Sequence, residues 1–226
     1  MRNLLASGMR FLHLHPRPSL NDLDRKLEKY IGYQNGFFIE AGANDGYSQS
    51  NTYYLEKKQG WTGLLIEGIP ELYEKCKKRR TRSIVKNYAL TSSDYSGSAV
   101  TMHYANLMSV VDGALKTEDE QSGHIKTGLK VQHLHRSYQI DVPARTLESI
   151  LDEIPELPDI DIFSLDVEGY ELPVLKGLKL TKYRPKYILV EASYFEDVNA
   201  FLVNQSYKLM EQLSCHDYIY IAKELL

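Results

Sequence analysis

The chain is predicted to be a single α/β domain whose mainly parallel sheet carries helices on both faces. Short apolar runs alternate with helix-period segments over most of its 226 residues. The first run, 37–41, passes directly into a turn with glycines at 42 and 46. The length suits one full core and leaves little room for a second.

Taken in order, residues 19–31 read as a helix. Leu20, Leu23, Leu27, Tyr30 and Ile31 repeat at helical spacing, and Ser19 with Asp22 forms a capping-box pattern. Residues 37–41 have the continuous apolar character of a buried parallel strand. Asp45-Gly46 ends it, and 48–59 is predicted helical. A second strand covers 63–67, Pro70 opens a helix continued by 71–80, and 83–90 is a third strand. Residues 159–166 and 187–191 are the fourth and fifth, each followed by a helical stretch, and 207–212 with 217–222 reads as a closing hairpin. The rhythm breaks between 101 and 136. That polar stretch holds Gly113, Gly123, Gly128, His103, His124, His133 and His135, and is expected to be a long irregular lid or binding loop. Residues 1–14 lack a secretory h-region and a membrane span, and a frayed terminus is expected.

Composition narrows the function classes. A net charge of -3 argues against a nucleic-acid-binding domain. Cys76 and Cys215 make neither a disulfide framework nor a metal-type spacing, so reduced thiols in a cytoplasmic protein are expected. The basic run Lys75, Lys77, Lys78, Arg79, Arg80, Arg82 reads as a solvated helix end.

In an open parallel sheet, ligands bind at the carboxyl ends of the strands, where strand order reverses. Gly42 and Gly46 allow a ligand close backbone approach there. Glu67 ends the second strand about 20 residues past Gly46, where an acid is placed to bond a ribose diol. Glu40 and Asp45 flank the glycines and would repel the pyrophosphate of a dinucleotide. They suit the cationic amino group and sulfonium of S-adenosylmethionine (SAM), which favours SAM over NAD.

Several ordered motifs resemble the FkbM family of SAM-dependent methyltransferases. They are Ile39 to Gly46, Ser50-Asn51-Thr52, Gly60 to Glu67, Asn87 to Leu90, Arg145-Thr146-Leu147, Ser164 to Glu171 and Pro185-Lys186-Tyr187. The resemblance implies a Rossmann-like fold with a seven-stranded, mostly parallel sheet, and transfer of a methyl group to an oxygen, often a sugar hydroxyl. On that basis residues 1–32 are an arm and helix, and 33–226 are the methyltransferase domain, with 101–138 a substrate lid. Glu40, Gly42, Asn44, Asp45, Gly46 and Asn51 would line the methionine and ribose, and Glu67 would hold the ribose hydroxyls. Asn87, Tyr88 and Ala89 would flank the adenine, and Asp166 and Glu168 would face the transferring methyl group. Gly68 stands where the family usually has proline.

Transfer to a hydroxyl needs a group that takes its proton. Asp166, Glu168 and His216, beside Asp217, are the candidates. Asp166 with Glu191 is the candidate pair for Mg²⁺, although two carboxylates make a thin site and metal-free chemistry is favoured. Tyr170 is the aromatic placed for sugar stacking. The expected acceptor is a small molecule or glycan. A small natural product, a lipid, an amine or a non-catalytic SAM-binding role are the alternatives.

Overall fold

The computed structural model describes residues 16–226. The reading of residues 1–14 as a frayed arm therefore lies outside the described residues.

The predicted N-terminal helix is broken. A 3-10 turn at Leu20–Asp22 is followed by α1 (Leu23–Lys26) and α2 (Glu28–Ile31). Asn21 and Asp22 sit at φ 53° and 55°, outside helical space. Ser19 forms no cap; its hydroxyl bonds the Asn51 side chain instead.

Strand β1 (Phe37–Ala41) leads through a long loop to α3 (Tyr53–Lys58). This helix starts later than its sequence predicts because side chains capture the preceding N–H groups. Asp45 Oδ1 accepts from the backbone of Tyr47 and Ser48, and Glu40 Oε1 accepts from that of Asn51. Then come β2 (Thr62–Ile66), α4 (Pro70–Arg79, proline in its first turn) and β3 (Ile84–Lys86). The predicted 83–90 strand divides here: Asn87 Nδ2 donates to the carbonyls of Glu67 and Gly68 at 2.8 and 2.7 Å, and the chain leaves the sheet.

A four-stranded satellite sheet follows, built from β4 (Ala89–Leu90), β5 (Ala99–His103), β6 (Val110–Val111) and β7 (Gln139–Arg145) in the order β4-β7-β5-β6. The stretch expected to be irregular thus contains strand structure and a 14-residue helix, α5 (Glu118–Val131). Its glycines and weak apolar pattern hide that helix, but its start is written in Thr117 and Glu120. The Thr117 hydroxyl accepts from the Glu120 backbone, and the Glu120 carboxylate accepts from the Lys116 backbone.

The chain returns through α6 (Leu147–Leu151), β8 (Ile162–Leu165), α7 (Glu171–Lys176), β9 (Tyr187–Glu191), α8 (Phe195–Asn204), β10 (Tyr207–Gln212) and β11 (Asp217–Ala222). The main sheet has seven strands in the order β10-β11-β9-β8-β1-β2-β3. Its five members from β9 to β3 are parallel, and the closing hairpin is antiparallel. Alternate residues of β1 feed the two cores. Phe37 and Ile39 pack with Leu147, Val174 and Leu202 from α6, α7 and α8, while Phe38 packs with Leu23, Leu27, Leu55 and Trp61. The chain moves outward from β1 to β3 and then returns to β8. The strand order therefore reverses between β1 and β8, and a crevice opens at their carboxyl ends. Among the described residues, no helix is long and apolar enough to cross a membrane.

Candidate active site

The crevice is a pocket walled by the loops after β1, β2 and β8 and by the satellite sheet. Glu40, Gly42, Asn44, Asn51, Glu67, Tyr88, Ala89, Asp166 and Glu168 all line it. Gly42 is required there: its φ is +82°, and a Cβ would stand 1.8 Å from the Asp166 carbonyl oxygen. Glu67 is anchored by two backbone donors, Asn44 N–H to Oε2 at 2.7 Å and Ile69 N–H to Oε1 at 2.8 Å. Burial, only partly offset by these donors, pushes its carboxyl up to about 7.

Three residues expected at the cofactor lie outside the pocket lining. Asp45 turns away to cap the following loop and pairs with Arg79. Gly46 packs on Arg80 and Cys76. Asn87 acts from behind, through its two bonds to the turn at Glu67 and Gly68. Gly68, the departure from the family pattern, makes room for Met102, whose sulfur would lie 2.5 Å from a Cβ there.

Arg80 corrects the reading of the basic run. It is wholly buried, not solvated, and reaches Glu56 at 2.9 Å, Glu40 at 3.3 Å and the Thr52 hydroxyl at 2.8 Å. It also donates to the Gly46 carbonyl and the Ser50 hydroxyl. The charge of Glu40 is therefore met from within the protein, although the residue still borders the pocket. The signal that could have found it is helical spacing: Arg80 stands four positions past Cys76 and eight past Leu72, both buried on the inward face of α4.

At the far end, past β8, carboxyls crowd together. Asp166 is raised well above the usual range by burial first and then by the neighbouring carboxyls of Glu191, Glu168 and Glu171. Burial raises the neighbouring Glu191 carboxyl as well. Glu168, at φ 54°, is pushed up to about 8 by burial first and then by Glu191 and Glu171. An acid poised near neutrality is suited to take a proton from an acceptor. Tyr170 also lines this end. Among the described residues, no three His, Cys, Asp or Glu side chains converge as a metal centre.

The histidines sort clearly. His216 stands apart from the pocket, exposed in the turn before β11 rather than within a strand. His133 and His135 are exposed beyond α5, His133 at φ 52°. His103 bonds Asp112. His124 is the one the insertion brings to the acidic end, 3.5 Å from Glu168, a pairing that spacing did not reveal.

Compared with known families, the chain matches the methyltransferase FkbM domain over residues 40–220. The chain belongs to the FkbM methyltransferase family. It is a methyltransferase with a Rossmann-like α/β fold. No curated protein matches its sequence. Among solved structures, a TehB-like SAM-dependent methyltransferase from Corynebacterium glutamicum is similar at 11% identity and TM-score 0.45, over 89% of this chain and 88% of that one. The human methyltransferase 10 domain containing protein matches at 12% identity and TM-score 0.46, over 88% and 80%. A Geobacter sulfurreducens SAM-dependent methyltransferase in complex with S-adenosyl-L-homocysteine matches at 11% and 0.40, over 88% and 69%. For this FkbM family member, the family match spans the β1 loop, the strand end at Glu67 and the acidic end alike.

Proposed function

We propose that this FkbM-family chain transfers the methyl group of SAM to a hydroxyl on a sugar or glycan. One observation carries the donor assignment. Among the described residues, apart from the tyrosine phenols, every ionisable acid or base lining the pocket is a carboxyl: Glu40, Glu67, Asp166 and Glu168. A dinucleotide would bring a buried pyrophosphate with no cation to pair it, a costly arrangement. A sulfonium nucleoside brings the opposite charge. Glu67 is placed for the ribose diol. Tyr88, Ala89, Leu90 and Met102 offer an apolar wall for a heterocycle, and the loop from Ser48 to Asn51 offers polar groups for the amino-acid end.

When bound, SAM supplies the electrophilic methyl group. Glu168 receives the acceptor's proton, and Asp166, on the pocket wall beside it, orients the acceptor hydroxyl. The 101–138 insertion, through Asn106, Leu107, Ser109 and Val111, walls the acceptor side and serves as the substrate lid. Residues 33–226 make up the methyltransferase domain. The free cysteines, one buried and one exposed, fit a cytoplasmic setting. The crowd of acids also suits a cationic amine, which is the second reading.

Calorimetry with SAM, S-adenosylhomocysteine and NADH tests the donor. Binding of the first two and not the third is expected, and NADH binding alone would overturn it. Mass spectrometry of products from methyl glycosides and matched amino sugars tests the acceptor. An O-methylated product is expected, and methylation on nitrogen would replace the hydroxyl reading.

A further inference from the structure

His124 reaches from the insertion helix α5 to the acidic end of the pocket. Its Nε2 lies 3.1 Å from the Met108 carbonyl oxygen and 3.5 Å from Glu168 Oε2. The Met108 carbonyl can only accept, so Nε2 carries the hydrogen. In the neutral ring Nδ1 is then bare. Burial lowers the His124 pKa, which favours that neutral ring. Neither side chain is freely solvated: His124 is 16% exposed and Glu168 18%.

The contact joins three separate pieces of chain. α5 lies close on the turn Asn106–Met108, where a Cβ at Gly128 would stand 3.0 Å from the Cβ atoms of Ala105 and Met108. That turn supplies Asn106 and Leu107 to the pocket wall. Glu168 sits in left-handed backbone space just past β8. A non-glycine residue persists there only where its surroundings hold it. The His124 ring lies against its carboxyl, Nε2 being 3.5 Å from Oε2.

We infer that His124 is a positioning residue for the acceptor step: anchored to the wall by Nε2–H on the Met108 carbonyl, its ring packs against the Glu168 carboxyl and holds it in place. This rests on the proposed role of Glu168. No proton passes through His124, because the nitrogen facing Glu168 already holds one. What it supplies is orientation. Misplacing a reacting group by about 1 Å costs on the order of 100-fold in rate.

The test compares His124→Ala, His124→Gln and His124→Ala in a Glu168→Gln background, using SAM and the best acceptor from a panel of methyl glycosides. His124→Ala is expected to lower kcat about 10- to 100-fold with the KM for SAM within about twofold. His124→Gln, which keeps a side-chain N–H, is expected to recover most of that loss. In the Glu168→Gln background the second change should cost less than about twofold, since the two residues act together. Equal losses in both backgrounds, or no loss in either, overturn the inference.

Imidazole ¹⁵N NMR of the S-adenosylhomocysteine-bound protein reads the clamp without any acceptor. An Nε2–H tautomer whose resonance moves in Glu168→Gln is expected. An Nδ1–H tautomer, or a resonance that does not move, overturns it. If no glycoside is methylated, the acceptor reading fails, and the NMR result alone decides the role of His124.

Discussion

Arg80 Nε donates to Glu56 Oε2 at 2.9 Å, with both side chains closed off from water. The same guanidinium holds Glu40, Ser50, Thr52 and the Gly46 carbonyl, so one buried cation organises the whole turn from β1 into α3. Replacing it with methionine leaves Glu40 and Glu56 buried without their shared cation, a loss of about 3–5 kcal/mol. For a chain of this size that is a fall in Tm of roughly 6–20 °C. Thermal melts followed by circular dichroism check this, and a Tm within about 2 °C of wild type would show the network to be dispensable.

Gly42→Ala is expected to damage the pocket more than the fold. The left-handed position costs an L-residue about 1–2 kcal/mol. The new methyl must also displace the Asp166 carbonyl, which parts the loops after β1 and β8 at the cofactor's expected seat. SAM affinity should fall by at least about tenfold, or 1.4 kcal/mol. Calorimetry on protein with a normal circular dichroism spectrum measures it, and wild-type affinity would remove Gly42 from the site.

These two residues also show what the sequence could and could not convey. Gly42 was legible because strand, turn and helix lie together in the chain, and Glu67 sits a fixed distance further on. The alternation of strands and helices, the sheet and the closing hairpin were readable for the same reason: period and turn chemistry are local. Arg80 was legible only in part: its spacing from Leu72 and Cys76 puts it on the inward face of α4, but its partners Glu40 and Glu56 meet it only after folding. Helix α5 was missed since Gly123 and Gly128 dilute its apolar period; the Thr117 cap was its only clear mark. His124 meets Glu168 across 44 positions, and nothing in the spacing of four histidines singles it out.

Stability should fall as pH rises through neutrality. Glu67 and Glu171 are pushed up to about 7 and Glu168 to about 8, with burial the largest cause in each. An acid with a folded pKa above its unfolded value near 4.5 stabilises the fold fully below 4.5. That contribution is lost as pH climbs through the folded value. Glu224, held down to about 2 by Arg184, is ionised throughout and adds no slope. From just above 4.5 to about pH 8 the Tm should therefore drop, and Glu168→Gln, which cannot ionise, should drop less. Melts at matched ionic strength decide it; parallel curves would mean that Glu168 titrates normally.

Burial raises both Asp166 and Glu191, which favours a protonated pair over the two ionised carboxylates a divalent cation needs. Chelator should leave methyl transfer within about twofold of its starting rate, while Asp166→Asn should lower kcat by about 100-fold or more. A large loss with chelator that Mg²⁺ restores would instead make the two acids metal ligands.

Glu67 offers the sharpest check on the donor. Its two oxygens are each fixed by a backbone N–H, from Asn44 and Ile69, and their remaining lone pairs are the acceptors proposed for the ribose hydroxyls. Glu67→Ala removes a charged acceptor and should weaken SAM binding by about 1.5–3 kcal/mol. It also strips two backbone donors of their partner, so some loss could come from the turn itself. Glu67→Gln separates the two effects, because its single side-chain oxygen still serves one N–H. The glutamine variant should melt close to wild type and bind SAM with intermediate affinity, while alanine lowers both. If both variants bind SAM as tightly as wild type, the ribose must be held elsewhere in the pocket.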